Sequence, residues 1–344
     1  MKYKVLSSER TRSTASDFET KALLYLMNYR ADSNEIHYFV IDFFNDLTGI
    51  DNYIGKTWDL QSKAAKNNYQ SAIGKELVTL YKNYLSVFQF DHYILFLGGV
   101  ADSIRIDSSQ NTFSVSNIDS VSLTKIKNAL IKESLQKTYI DSLKVNDNTA
   151  SDFLSKVVFV IDDKDKSEYI KSIVKVNSQV IPSNSILEHI FDQIRDAQSS
   201  KKNNNNVEGI ELNTMNEFFY HNRHITAHDI KMLVLNRVIN NNIMQKGVTR
   251  SFLSIYNRYP EVQQKGMLED CQHEIALTLF DKNNSEAFWN LFSEIYTLVT
   301  SNKTITIEQL YTQLNKSSLT DLRFLTAFSV QYFMSLIKDG IDED

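Results

Sequence analysis

Residues 36–63 read Ile-His-Tyr-Phe-Val-Ile-Asp-Phe-Phe-Asn-Asp-Leu-Thr-Gly-Ile-Asp-Asn-Tyr-Ile-Gly-Lys-Thr-Trp-Asp-Leu-Gln-Ser-Lys. From Ile36 to Phe44 the run is apolar and β-branched, the pattern of a buried strand. It gives way to Asn45, Asp46 and Gly49, residues with turn chemistry. From Thr57 to Lys63 a strand would turn Trp58, Leu60 and Ser62 to one face and Asp59, Gln61 and Lys63 to the other. One face packs and the other is polar. The two runs form a hairpin that delivers Asp46 near the start of the strand carrying Gln61 and Lys63. A carboxylate, an amide oxygen and an ammonium are the parts that a hard divalent cation and hydrolytic attack on a phosphodiester call for.

A third candidate lies upstream. The segment from Ser16 to Tyr29 offers Ser16 or Asp17 as a helix N-cap and good helix formers after it. Glu19 shares a helical stripe with Leu23, Leu26 and Met27, so a carboxylate heads an otherwise apolar face that packs on the sheet. The plainer alternative is a first-turn acid favoured by the helix dipole.

Further along, residues 91–100 and 156–162 are short apolar runs that read as buried strands, and Leu123 to Leu143 has helical periodicity. A mixed sheet flanked by helices assembles these parts. His92, alone at a strand start, reads as structural. Residues 197–209, Ala-Gln-Ser-Ser-Lys-Lys-Asn-Asn-Asn-Asn-Val-Glu-Gly, are polar and low in complexity and read as an exposed loop. Beyond them, residues 213–340 carry amphipathic helical patterns with almost no strand signal and no fixed-period repeat. Two domains result, 1–175 with the sheet and 176–344 all helical.

The chain has 344 residues, 42% hydrophobic and 11% aromatic, enough for two cores. Two prolines and nine glycines disfavour sandwich and barrel folds, which need more turn residues. The single cysteine, Cys271, excludes an intrachain disulfide and a cysteine zinc cluster. No apolar run approaches the roughly 20 residues that span a bilayer, and the first ten residues lack a signal sequence, so a cytoplasmic location without membrane attachment is expected. The net charge of -5 argues mildly against a chain that coats nucleic acid nonspecifically. Lys63, Lys66, Lys75 and Lys82 nevertheless cluster beyond the strand, either as a nucleic-acid-facing group or as a solvated helix face. No Walker-type phosphate loop occurs.

The order of a helix with Glu19, a strand, Asn45-Asp46, and a strand with Gln61-Ser62-Lys63 resembles the PD-(D/E)xK nuclease core, in the variant with Gln in place of the second acid. Phe-Asn-Asp-Leu-Thr-Gly followed by Trp-Asp-Leu-Gln-Ser-Lys is similar to double-stranded DNA endonuclease effectors of bacterial antiphage systems such as CBASS and Lamassu, over roughly residues 15–160. The resemblance implies catalytic residues Glu19, Asp46, Gln61 and Lys63. Of these, Asp46, Gln61 and Glu19 would hold Mg2+ or Mn2+, and Lys63 would orient water and stabilise phosphate charge. Asp51 stands in reserve for Asp46, and Asp59 lies in the same segment. It further implies double-stranded DNA as substrate, an SMC-like ATPase and an accessory subunit of a defence operon as partners, and homo-oligomerisation on activation.

The C-terminal half holds one competing constellation. In His221-Asn-Arg-His-Ile-Thr-Ala-His228, the Arg223 and His228 spacing resembles the catalytic motif of HEPN ribonucleases, which work without metal. The histidines His221, His224 and His228 otherwise read as a polar patch or, less simply, as metal ligands. Phe218, Phe219, Tyr220 and Trp289 read as exposed aromatics that dock a partner. A noncatalytic interaction subunit that retains a nuclease-like fold is the rival reading of the whole chain.

Overall fold

A computed structural model describes residues 2–6, 13–203 and 206–342. They divide into two compact units, Met1–Asp165 with Asp192–Ala227, and Lys166–Phe191 with His228–Asp344. The division therefore differs from a single cut after residue 175: a stretch beyond the first part of the helical region returns to the sheet-bearing unit.

The strands of the first unit are β1 (Tyr3–Lys4), β2 (Ile36–Ile41), β3 (Leu47–Asp51), β4 (Thr57–Lys63), β5 (His92–Leu97), β6 (Thr112–Phe113), β7 (Val157–Ile161), β8 (Glu211–Leu212) and β9 (His224–Thr226). Its helices are α1 (Ser13–Asn28), α2 (Gln70–Glu76), α3 (Val78–Tyr84), α4 (Ser120–Ser134) and α5 (Asp147–Ser155). The described residues form a mixed seven-stranded sheet in the order β6-β7-β5-β4-β3-β2-β9, with β1 and β8 paired separately. Strands β2, β3 and β4 are an antiparallel meander, while β4, β5 and β7 run parallel. The expected mixed sheet flanked by helices is thus present.

Alternation divides the core between two faces. Phe96 meets Phe18 and Tyr25 of α1, and its neighbours in register on that face are Ser62 of β4 and Ile94 two residues before it. The other face carries Tyr93, Leu95 and Leu97, in one cluster with Ile73, Leu77, Leu80, Ile126 and Phe153 of α2 to α5. Gln61 and Lys63 stand beside Leu95 and Leu97 in the parallel register, which turns them toward α2 and α3.

Several boundaries depart from expectation. The strand from Ile36 stops at Ile41 because Asp42 takes a left-handed φ of 50°. Gly49, expected in a turn, lies inside the unforeseen strand β3, where a Cβ would press on Ile36 at 3.1 Å. Leu47 opposes Leu60 in the β3–β4 register, so Asp46 reaches the end of β4 rather than its start. The face bearing Asp59, Gln61 and Lys63 is polar but not solvated at Asp59, which is fully buried. Ser16 and Asp17 lie within α1, so neither caps it, and Glu19 is not a first-turn acid. Helix α4 ends at Ser134 instead of continuing to Leu143. The expected loop 197–209 is helical as far as Asn203, and residues 204–205 lie outside the described residues.

The second unit holds α6 (Lys166–Lys171), the first part of α7 (Asn184–Asn203), α8 (Ala227–Val238) from its second residue, α9 (Leu253–Tyr256), α10 (Glu261–Phe280), α11 (Ser285–Ser301), α12 (Ile307–Gln313) and α13 (Ala327–Asp342). Apolar stripes of α11 and α13 make its centre, with Phe288, Trp289, Phe292, Tyr332, Phe333 and Leu336 buried. Trp289 is therefore core, as is Phe218, which belongs to the first unit; Phe219 and Tyr220 are the exposed members of the group, at 37% and 85%. The strand β9, unforeseen in residues 213–340, forms the edge of the large sheet. No described helix is long and apolar enough to cross a membrane.

Candidate active site

Antiparallel pairing of β2 with β3 and of β3 with β4 sets the end of β2, the start of β3 and the end of β4 at one end of the sheet. Sites in sheets with parallel strands form outside the strands' carboxyl ends, where side chains converge without continuing the ladder. Asp46, one residue before β3, is held there by three donors to one oxygen. Its Oδ2 accepts from Gln61 Nε2 at 2.9 Å, from the Ser62 backbone N–H at 2.9 Å and from Ser62 Oγ at 3.0 Å. Thr79 of α3 donates to Gln61 Oε1 at 2.7 Å, which sets the amide's orientation. Lys63 ends the strand in an ion pair of 2.8 Å with Glu76 of α2, and its side chain is 46% exposed.

Glu19 approaches from α1. Burial raises its carboxyl to about 7, with Asp46 and Asp42 pushing further up and Lys202 opposing them. Burial likewise raises Asp46 to about 6 against the stabilising hydrogen bonds from Ser62, with Asp42 adding to the rise and Lys202 opposing it. Glu19, Asp46 and Asp42 therefore lie near enough to feel one another. Two cations face them: Lys202 Nζ is 3.4 Å from Glu19 Oε1 and 4.0 Å from Asp42 Oδ2, and Arg223 Nη1 is 3.4 Å from Asp42 Oδ2. Asp42, Glu76 and Lys202 are not among the residues expected from sequence, and Arg223 is expected there only as the partner of His228; Lys202 lies 183 positions from Glu19, and only the fold joins them.

The other acids of the segment do different work. Asp51 organises the β3–β4 turn, accepting from the backbone N–H groups of Tyr53, Gly55 and Lys56. Asp59 accepts from Asn83 Nδ2 at 2.7 Å and from Thr48 Oγ1 at 3.4 Å. Lys82 donates to the Tyr3 hydroxyl at 2.7 Å and that hydroxyl donates to Asn83 Oδ1, so the buried polar groups form one chain. Burial pushes Asp59 up and Lys82 down. Lys82 is thus a core residue and not part of a solvated basic face. His92 stacks on Trp58 at 5.5 Å, the structural role expected of it.

Arg223 and His228 fall in different units. Arg223 is 5% exposed and serves as a counter-ion of Asp42. His228 stacks on Phe280 with ring centroids 3.9 Å apart. His221 packs on Phe43, and His224 on Phe218 and Phe219. Among the described residues no group of three His, Cys, Asp or Glu can hold a metal ion, which removes the three-histidine site.

That finding also limits how a divalent cation can sit at Asp46, since a cage of three carboxylates is absent among the described residues. Mg2+ commonly takes only one or two carboxylates and keeps several waters. Burial makes the charged forms of these two carboxylates unfavourable, raising them to about 7 and about 6, and a bound cation would favour their ionised forms. Oxygen donors from Glu19, Asp46 and Gln61 fit such an ion. Gln61 can present its oxygen if its amide turns over, because the Thr79 hydroxyl can accept as well as donate.

No protein-family model, curated protein or solved structure matches this chain.

Proposed function

We propose that the chain is a divalent-metal-dependent endonuclease for double-stranded DNA, the effector of an antiphage defence complex. The observation that carries this is the arrangement at the end of β4, where Gln61 and Ser62 donate to the Asp46 carboxylate and Lys63, next in the strand, pairs with Glu76. Asp46, Glu19 and Gln61 would hold Mg2+ or Mn2+, which when bound supplies charge neutralisation and an acidified water. Ser62 fixes Asp46 through backbone and hydroxyl donors, so the ligand does not need to reorganise. Lys63, steadied by Glu76, would offer its ammonium to the non-bridging phosphate oxygens as charge develops there. The P–O bond to the leaving oxygen breaks as the water oxygen joins phosphorus, and the water's proton passes to solvent or to the leaving oxygen. The cytoplasm, an SMC-like ATPase with an accessory subunit, and assembly into homo-oligomers complete the proposal on the strength of the sequence resemblance.

The test is cleavage of supercoiled plasmid by the full chain with Mg2+ or Mn2+, alone and with the products of neighbouring genes. Asp46→Asn and Lys63→Ala should each lower the rate by about a hundredfold or more, the scale of lost charge stabilisation. EDTA should abolish cleavage. Full activity in either variant, or cleavage that survives EDTA, would sink the assignment.

A further inference from the structure

Lys202 belongs to the last turn of α7, far from every strand of the site in sequence, yet its side chain is only 11% exposed. The α7 segment that brings it there lies along α1. Gln198 Oε1 accepts from Thr20 at 2.8 Å, Ser199 pairs with Ser16 at 3.1 Å, and Arg195 reaches Asp17 at 3.0 Å. Lys202 Nζ then faces Glu19 at 3.4 Å and Asp42 at 4.0 Å. These distances are long for a charge-assisted hydrogen bond, which closes to roughly 2.7–2.9 Å. The same chain makes such bonds elsewhere, Lys21 to Asp162 at 2.7 Å and Lys63 to Glu76 at 2.8 Å. Lys202 therefore makes only a long hydrogen bond to Glu19, with the Asp42 carboxylate further off.

Charge counting sharpens the point. Among the described residues, Glu19, Asp42 and Asp46 meet Lys202 and Arg223. When all are ionised one negative charge is left over. Exchange of the Lys202 ammonium for a divalent cation balances the group, with Arg223 retained on Asp42.

We propose that Lys202 is the resident counter-ion of the carboxylate site and competes with the divalent cation for it, so that metal entry drives out the Lys202 side chain and loosens the last turn of α7. The proposal rests on Glu19 and Asp46 being metal ligands. It gives the site a built-in restraint: the resting chain binds its metal weakly, and whatever draws back the end of α7 favours loading. Helix α7 begins in the helical unit and ends at Lys202 and Asn203, so the restraint is continuous in sequence with that unit.

The experiment is Mn2+ titration of the full chain, followed by the electron paramagnetic resonance of free Mn2+, for the natural sequence, Lys202→Met and Lys202→Arg. Removing one opposing charge at this range should tighten Mn2+ binding by about tenfold or more in Lys202→Met. Lys202→Arg, which keeps the charge, should stay within about threefold of the natural chain. Equal or weaker binding by Lys202→Met, with Mn2+ still bound by the natural chain, overturns the competition and leaves the metal site standing. Tightening in Lys202→Arg as large as in Lys202→Met overturns it too, because charge would not be the cause. Absence of Mn2+ binding in all three chains removes the metal site and the competition together. Hydrogen exchange on the natural chain needs no variant: Mn2+ should speed exchange at residues 195–203, and unchanged or slower exchange there contradicts the displacement.

Discussion

Asp46 and Glu19 are costly residues in the absence of a cation. Each holds its proton more tightly in the folded chain, Asp46 at about 6 against 3.8 and Glu19 at about 7 against 4.5. Between the unfolded and folded values the native state carries protons that the unfolded chain has released, so these groups make stability fall as pH rises from about 4 to about 7. The effect is about 3 kcal/mol at most for each group, since a tenfold change in proton affinity corresponds to roughly 1.4 kcal/mol. Bound Mn2+ favours the ionised carboxylates and should cancel the loss. Melting temperatures from pH 4.5 to 7.5 should decline more steeply for the natural chain than for Glu19→Gln/Asp46→Asn, and added Mn2+ should flatten the slope of the natural chain alone. Identical slopes in the two chains would show that these carboxylates ionise normally. At this scale the ordered set Asp46, Gln61 and Lys63 is legible in sequence because one strand and one turn carry it. Asp42 and Lys202 are not, and Arg223 is legible only as a partner of His228, since α7 and the turn before β9 bring the two cations from the far side of the chain.

The elements hold the site by close backbone packing as much as by side chains. Just after Lys63 the chain passes under the end of β5, where Gly98 and Gly99 leave room for it. A Cβ on Gly99 would lie 2.0 Å from the Lys66 carbonyl oxygen, and one on Gly98 2.4 Å from that of Ala64. Asn68 clamps the same crossing, its Nδ2 donating to the Ala65 carbonyl at 2.7 Å and the Gly99 carbonyl at 2.8 Å. Since the obstructing atoms are backbone, Gly99→Ala should cost about 1–3 kcal/mol by forcing the strands apart and should shift Lys63 away from Glu76. Thermal unfolding and a drop in plasmid cleavage measure the two effects; an unchanged melting temperature would mean that the crossing is pliable. Strands β2, β4, β5 and β7 are visible in sequence as apolar or alternating runs, whereas β3 is hidden because its short Leu-Thr-Gly-Ile-Asp sequence contains the glycine and threonine of a turn. The end of helix α7 is hidden for a related reason, its polar last turn being ordered by tertiary partners such as Asn222, which accepts from Lys201 at 2.7 Å.

At the scale of the whole molecule, composition points to two cores but does not place their boundary, because the chain crosses between units more than once. Residues 192–227 supply β8, β9, Arg223 and Lys202 to the sheet-bearing unit, so a truncation at residue 210 would remove part of the proposed active site along with the helical domain. A gentler way to separate the units is to damage one core and read the other. In the helical unit α13 passes so close to the end of α8 that a Cβ on Gly340 would lie 2.0 Å from the Ile239 carbonyl oxygen, while Asn241 Nδ2 donates to the Leu336 carbonyl at 2.8 Å beside it. Gly340→Ala should therefore destabilise that unit by about 1–3 kcal/mol, lowering its unfolding transition by roughly 2–4 °C for each kcal/mol. Each unit has its own buried core, so calorimetry should resolve a transition that Gly340→Ala lowers and another that Mn2+ raises by mass action on the folded form. Asp46→Asn should remove the Mn2+ shift and leave the Gly340-sensitive transition in place. If Gly340→Ala instead abolishes Mn2+ binding at temperatures where the sheet remains folded, the metal site depends on the helical unit and the two cores do not act separately.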